Sequence, residues 1–340
     1  MANTANLSTL TTDFNVNPYY DDYDQSRQYY RMLYKPGYAV QARELTQSQT
    51  MLQKQVDRFA KHIFKEGSMV INTPGASPDP TLMWPIQLEK DWHYIKVKDR
   101  DVSNNTIDIA SFKGQFLTGN TSGIRAYVGE VLDGVESSAN TKTLYVRYLS
   151  ANATTGNATY QASETLSANI GTVVTIDTNP VGMASRVIIQ GPGVFFAKEH
   201  FIYYDTQTAI LGRYSINPSA KVGFYVTESI VDYNSDVSLL DPALESSNYS
   251  APGADRLKLN PVLTVYDYNA DIDANFVELY TIKDGITETI YNKPQYSVIR
   301  EEFARRTYDE SGDYYVDGLE ITIRENLKTG NNLGYLESAN

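Results

Sequence analysis

Apolar positions follow two different periods along the chain. Between residues 42 and 64, Leu45, Gln49, Leu52, Val56, Phe59 and Ile63 recur at steps of 4, 3, 4, 3 and 4. That is the a/d spacing of a heptad, and it predicts a helix over 42–64. Glu44 near its start and Lys61, His62 and Lys65 near its end suit the helix dipole, and Gly67 supplies a stop. The other face is polar, with Gln47, Ser48, Lys54, Gln55 and Asp57. Packing on its own domain and bundling with other chains both satisfy such a stripe. Its six seam positions, Leu45, Gln49, Leu52, Val56, Phe59 and Ile63, are the candidate assembly interface.

From residue 92 the period becomes two. Strands are expected at Trp92–Lys98, Thr106–Ser111, Ile124–Leu132, Thr143–Leu149 and Thr172–Asp177, with an exposed connection over Ser150–Asn169. A second set follows at Arg186–Gln190, Val194–Phe196, Phe201–Asp205, Ala209–Leu211, Gly223–Ile230, Leu263–Tyr268 and Phe276–Lys283. The stretch 231–261, with Asp241-Pro242, Pro252-Gly253 and Asn260-Pro261, reads as a long ordered loop or surface arm. Tyr296–Arg306 reads as a short helix, Asp309–Asp313 as a turn around Gly312, and Leu319–Arg324 as a strand. Residues 1–18 lack periodicity and read as an extended arm, and the prolines of 72–85 as a linker. The expected fold class is therefore α+β and β-dominant. An arm, a long helix and a linker (1–85) precede two antiparallel β-rich modules of small barrel or sandwich type, 86–185 and 186–340.

Composition narrows the function classes. The chain has 340 residues and no cysteine, which excludes disulfides, thiol nucleophiles and thiolate metal sites. Its net charge of −12 disfavours a global nucleic-acid binder. No apolar run approaches the roughly 20 residues of a spanning helix. The first basic residue is Arg27, so neither a membrane span nor an export leader is expected. Tyrosine is the outlier, at 27 against 11 Phe and 2 Trp. Its apolar ring and polar tip suit both strands and wet protein–protein interfaces.

Candidate chemistry is sparse. His62, His93 and His200 lack any metal-ligating or HExxH spacing. The carboxylates of Asp21, Asp22 and Asp24 lack the glycine turn and closing glutamate of a calcium loop, so an acidic surface turn is expected. Gly191-Pro192-Gly193 is a turn and not a phosphate loop, because Pro192 removes an amide such a loop would use. No GxSxG elbow occurs. We expect no catalytic, cofactor-binding or metal residues, and hence no enzyme.

Five stretches are distinctive: Asp13–Asp24 (DFNVNPYYDDYD), Tyr34–Gln47 (YKPGYAVQARELTQ), Ser238–Leu244 (SLLDPAL), Ala251–Leu257 (APGADRL) and Arg305–Tyr314 (RRTYDESGDY). Together they resemble a family of virion structural proteins of tailed bacteriophages, T-even-like myoviruses and cyanophages among them. The resemblance spans about residues 13–325. It implies a structural component of a contractile viral tail, in the baseplate wedge or a tail-fibre connector, acting by protein–protein interaction without turnover. The alternative is a receptor- or glycan-binding tail-fibre protein, which exposed aromatic platforms on 86–185 would favour. The implied partners are other tail, baseplate or fibre proteins and further copies of this chain. Fibre connectors suggest a trimer for such a homo-oligomer. No nucleic acid is implied. The implied location is the virion tail, after assembly in the host cytoplasm. Members of that family are often longer, so either a C-terminal part beyond Asn340 is absent or this member is short.

Overall fold

The structure is a computed structural model. It describes residues 10–71, 86–101, 104–136, 138–150, 158–290, 296–312, 321–325 and 334–338. The expected linker at 72–85 lies outside these residues. In chain order the elements are α1 (Ala42–Ile63), β1 (Ser68–Ile71), β2 (Ile86–Val97), β3 (Phe116–Gly119), β4 (Arg125–Leu132), β5 (Thr143–Tyr148), β6 (Thr165–Ala168), β7 (Val173–Ile189), β8 (Gly193–Ala197), β9 (His200–Tyr204), β10 (Gln207–Ile210), β11 (Ala220–Val231), β12 (Arg256–Asp267), β13 (Phe276–Lys283), β14 (Ile286–Ile290), α2 (Tyr296–Ser311), β15 (Ile321–Glu325) and β16 (Gly334–Ser338). The fold is α+β and β-dominant, with antiparallel sheets throughout.

The largest sheet has the order β10-β7-β2-β5-β4-β3-β6, and β6 also pairs with β7. That pairing closes β7, β2, β5, β4, β3 and β6 into a small barrel. Its interior is filled by side chains, among them Ile95, Phe112, Leu117, Ile124, Leu144, Leu166, Val174 and Ile176. Closure leaves these strands without free edges inside the ring. A second core lies where the three-stranded sheet β1-β8-β9 meets the far ends of β2 and β7 and the four-stranded sheet β12-β11-β13-β14. Phe195, Tyr204 and Phe224 meet there in tilted and edge-on contacts, with ring centroids 5.1–5.5 Å apart.

Several expected strands are corrected. Residues 106–111 are not a strand: Thr106 makes a lone bridge to Arg100, and Ile109–Phe112 is a 3-10 turn. Asp108 starts that turn by accepting the Ala110 N–H at 3.1 Å. The exposed connection expected over 150–169 contains β6, whose Leu166 and Ala168 point into the barrel. Thr172–Asp177 and Arg186–Gln190 belong to one strand, β7, so this strand runs through the expected module boundary at 185/186. β7 runs through Asn179-Pro180 without ending. Its register against β2 shifts there, between Ile95↔Val181 and Val97↔Ile176. Helix α2 continues to Ser311, beyond the expected end at Arg306.

Strands β11 and β12 are longer than the sequence pattern indicates. Their pairing runs from Ala220↔Asp267 to Val231↔Arg256, whereas β13 pairs with β11 only as far as Tyr225. Beyond that point β11 and β12 form a two-stranded ribbon with mostly exposed side chains. Residues 232–255 make its tip, an ordered loop held by Asx turns at Asp236 and Asp241 and by the bridge between Leu240 and Pro252.

Candidate assembly interface

Helix α1 forms where the heptad pattern places it. The Glu44 carboxylate accepts the Gln41 N–H at 3.0 Å, half of a capping box. The helix ends at Phe64, and Gly67, at φ +81°, turns the chain into β1. Phe64 then packs its ring against Phe196 and Phe201 of β8 and β9.

The face that α1 turns to the body lies opposite the heptad stripe and mixes polar with apolar side chains. Its buried residues are Gln47, Met51, Asp57 and Ala60. The Gln47 amide donates to Asp22 at 3.0 Å, and the Thr50 hydroxyl to Asp21 at 2.5 Å. Asp57 meets Nδ1 of His200 at 3.2 Å, and Lys61 pairs with Glu199. The acidic turn at Asp21 and Asp22 is thus the seat of the helix. Nearby, a shallow cleft lies between Leu10, Phe14, Tyr23, Lys54, Asp57 and His200. Burial foremost lowers the pKa of Lys54 there, against the opposing pull of Asp57 and Glu199.

The heptad stripe faces away from the body. Leu45 and Val56 are each 51 % exposed, Leu52 64 % and Phe59 67 %. Gln49 is exposed as well, and Ile63 is half-buried beside the Phe64 anchor. Of the two arrangements open to the stripe, the chain by itself leaves it uncovered. Apolar side chains at this spacing normally bury themselves, so an outward stripe is the informative departure.

The segment leading into α1 extends this surface. Residues 25–41 are exposed apart from Met32, and they carry Tyr29, Tyr30, Leu33, Tyr34, Tyr38 and Val40. The Tyr34 hydroxyl lies 3.5 Å from the Glu44 carbonyl oxygen, which sets the segment against the first turn of α1. Its root is anchored. Tyr19 donates to Asp255 at 2.6 Å, and that bond, more than any other cause, pushes its phenol up to about 12. Thr11 and Thr12 donate to Glu228 on the ribbon, at 2.6–3.1 Å. Lys198 reaches the same carboxylate at 3.0 Å in an ion pair only 4–5 % exposed. Burial raises the Glu228 pKa, but the bonds from Thr12, Thr11 and Lys198 outweigh it and hold the group at about 2.

Residues 17–121 and 169–338 match the model of one protein family, a domain of unknown function designated DUF4815. The chain belongs to the DUF4815 family. The match takes in α1, its acidic seat and the exposed segment, and it omits 122–168, which carries β4, β5 and β6. No curated protein matches the chain, and no solved structure does. Among the described residues no group of three or more His, Asp or Glu is placed to hold a metal ion. No described helix is long and apolar enough to cross a membrane. The sequence pattern located the seam but not the direction it faces, and it missed the tyrosine-rich segment 25–41, whose aromatic residues were its one signal.

Proposed function

We propose that this protein is a structural component of a contractile bacteriophage tail, in the baseplate wedge or a fibre connector, and that it works by binding other proteins without turnover. One observation carries the binding role. The helix seats the face bearing Gln47, Met51 and Asp57 on the body and offers its apolar heptad stripe, together with the neighbouring tyrosines and leucine of 25–41, to a partner. A contiguous apolar patch of this kind marks an interaction site. Tyrosine enrichment with few charges on the patch is the composition of an interface core. The placement in a phage tail is supported by the five stretches quoted above, two of which (13–24 and 34–47) fall in the acidic seat and in the segment entering α1.

The receptor- or glycan-binding alternative calls for aromatic platforms on 86–185. The large apolar side chains exposed among the described residues there are Val135, Leu149 and Ile170. Immunogold labelling of intact virions with antibody against this chain tests the placement. Label at the base of the tail is expected, and label confined to the head or neck, or none, overturns it. Release of reducing sugar from envelope polysaccharide by the purified chain would overturn the non-enzymatic reading.

A further inference from the structure

The exposed stripe has a geometry that selects its occupant. In heptad terms Leu45, Leu52 and Phe59 stand at d, and Gln49, Val56 and Ile63 at a. The flanking e positions are Thr46, Gln53 and Ala60, and the g positions Ser48, Gln55 and His62. These flanks carry no carboxylate, lysine or arginine. The charged residues of α1 (Arg43, Glu44, Lys54, Asp57, Arg58 and Lys61) all lie at b, c or f, toward the body or the outer sides. A chain of net charge −12 generally repels its own copies, yet this seam presents no charge to another copy of itself.

The geometry points to a second copy of this chain as the partner, with the two α1 helices paired in parallel along Leu45–Phe59 as a two-stranded coiled coil. Gln49 decides the direction. In a parallel pair each seam residue faces its own counterpart, so Gln49 meets Gln49 and the two amides can bond to each other. In an antiparallel pair centred on the stripe, Leu45 faces Ile63, Leu52 faces Val56 and Gln49 faces Phe59, which buries an amide against a ring. β-Branched residues at a with leucine at d favour two strands, and Val56 and Ile63 alternate here with Leu45 and Leu52. This replaces the three-fold association that the family resemblance implies.

An isolated helix of this length is marginal in water. Here α1 is already held helical by Asp21, Asp22, Glu199 and His200, so pairing need not bear that ordering cost. A stable dimer buries about 1,200–2,000 Å² in all. The tyrosines and Leu33 beside the helix N-terminus lie where they can widen the contact beyond the seam itself.

The proposal deepens the assembly reading by naming one partner, and it rests only on the claim that the chain acts through protein–protein contact. The absence of cysteine makes the test clean, because one introduced thiol reports one position. The full chain is made as Val56→Cys, Arg58→Cys and, separately, Leu52→Cys and Val56→Cys differently tagged and mixed. Under mild oxidation Val56→Cys is expected to give a covalent dimer at least ten-fold faster than Arg58→Cys. In the mixture, the 52–56 hybrid is expected to form more slowly than the 56–56 product. Light scattering of the unmodified chain is expected to give twice the monomer mass, falling to one copy in Val56→Asp with its β-sheet circular dichroism unchanged. A monomer at all concentrations, a trimer, or preferential 52–56 linkage overturns the proposal. Since immunolabelling of virions reads the tail placement independently, failure here is separable from failure there.

Discussion

Glu228 ties three parts of the molecule together: the arm at Thr11 and Thr12, the ribbon that carries it, and Lys198 in the loop between β8 and β9. Its folded pKa of about 2 lies below the ordinary carboxylate value near 4.5. A depressed carboxylate contributes stability that is present in full above its unfolded pKa and is lost as pH falls through its folded one. The arm contact is therefore expected to hold above about pH 4.5 and to weaken progressively toward pH 2. The Thr12 amide resonance, followed by NMR, should titrate near the lower value. In Glu228→Gln it should show no such step, and the arm should be cleaved by protease at neutral pH. Gly129 is a second sensitive point. It sits in the bulge of β4 opposite β5, and a Cβ there would lie 2.3 Å from the Trp92 ring. That ring is held by Glu89 at 2.7 Å and covered by Arg186, leaving it no room to move. Gly129→Ala should cost about 1–3 kcal/mol in denaturant unfolding through overpacking.

Adjacent residues of α1 separate its two faces. Met51 is buried against the body and Leu52 is 64 % exposed. In dilute monomer, Met51→Ala should cost about 2–5 kcal/mol. Leu52→Ala should stay within about 0.5 kcal/mol. The contrast follows from orientation alone, since the two side chains are similar in size. Orientation is also what the sequence pattern could not supply. A heptad stripe marks where a helix lies, and the polar contacts that seat it, Thr50 with Asp21 and Asp57 with His200, join residues 29 and 143 positions apart. Strand edges were legible where a run of β-branched and aromatic residues is bounded by turn residues, as in β13, β4 and β5. They were misread where a proline or an Asx turn lay in the pattern. Pro180 lies inside β7, between two segments read as separate strands, and Asp108 turned an apparent strand into a 3-10 turn. β6 was hidden because only two of its four residues are buried, in a stretch of alanine, serine and asparagine.

At the scale of the whole molecule, the two large cores and a smaller cluster of Trp92, Tyr145 and Ala184 hold the β body together without any help from α1's apolar face. None of the three includes a residue of the heptad stripe. The β-dominant class was legible from the run of short alternating segments, but the division into 86–185 and 186–340 was not, because β7 serves the barrel at one end and the second core at the other. A body that folds without the stripe can keep that stripe for partners. The proposed role requires this face to be a binding surface and not part of the core. The triple variant Leu52→Gln/Val56→Gln/Phe59→Gln, unfolded in denaturant at a concentration where the parent chain is monomeric, tests it most directly. An unfolding midpoint within experimental error of the parent is expected, together with loss of the two-copy species at higher concentration. A loss of several kcal/mol in the dilute monomer, the cost of removing buried side chains, would contradict it.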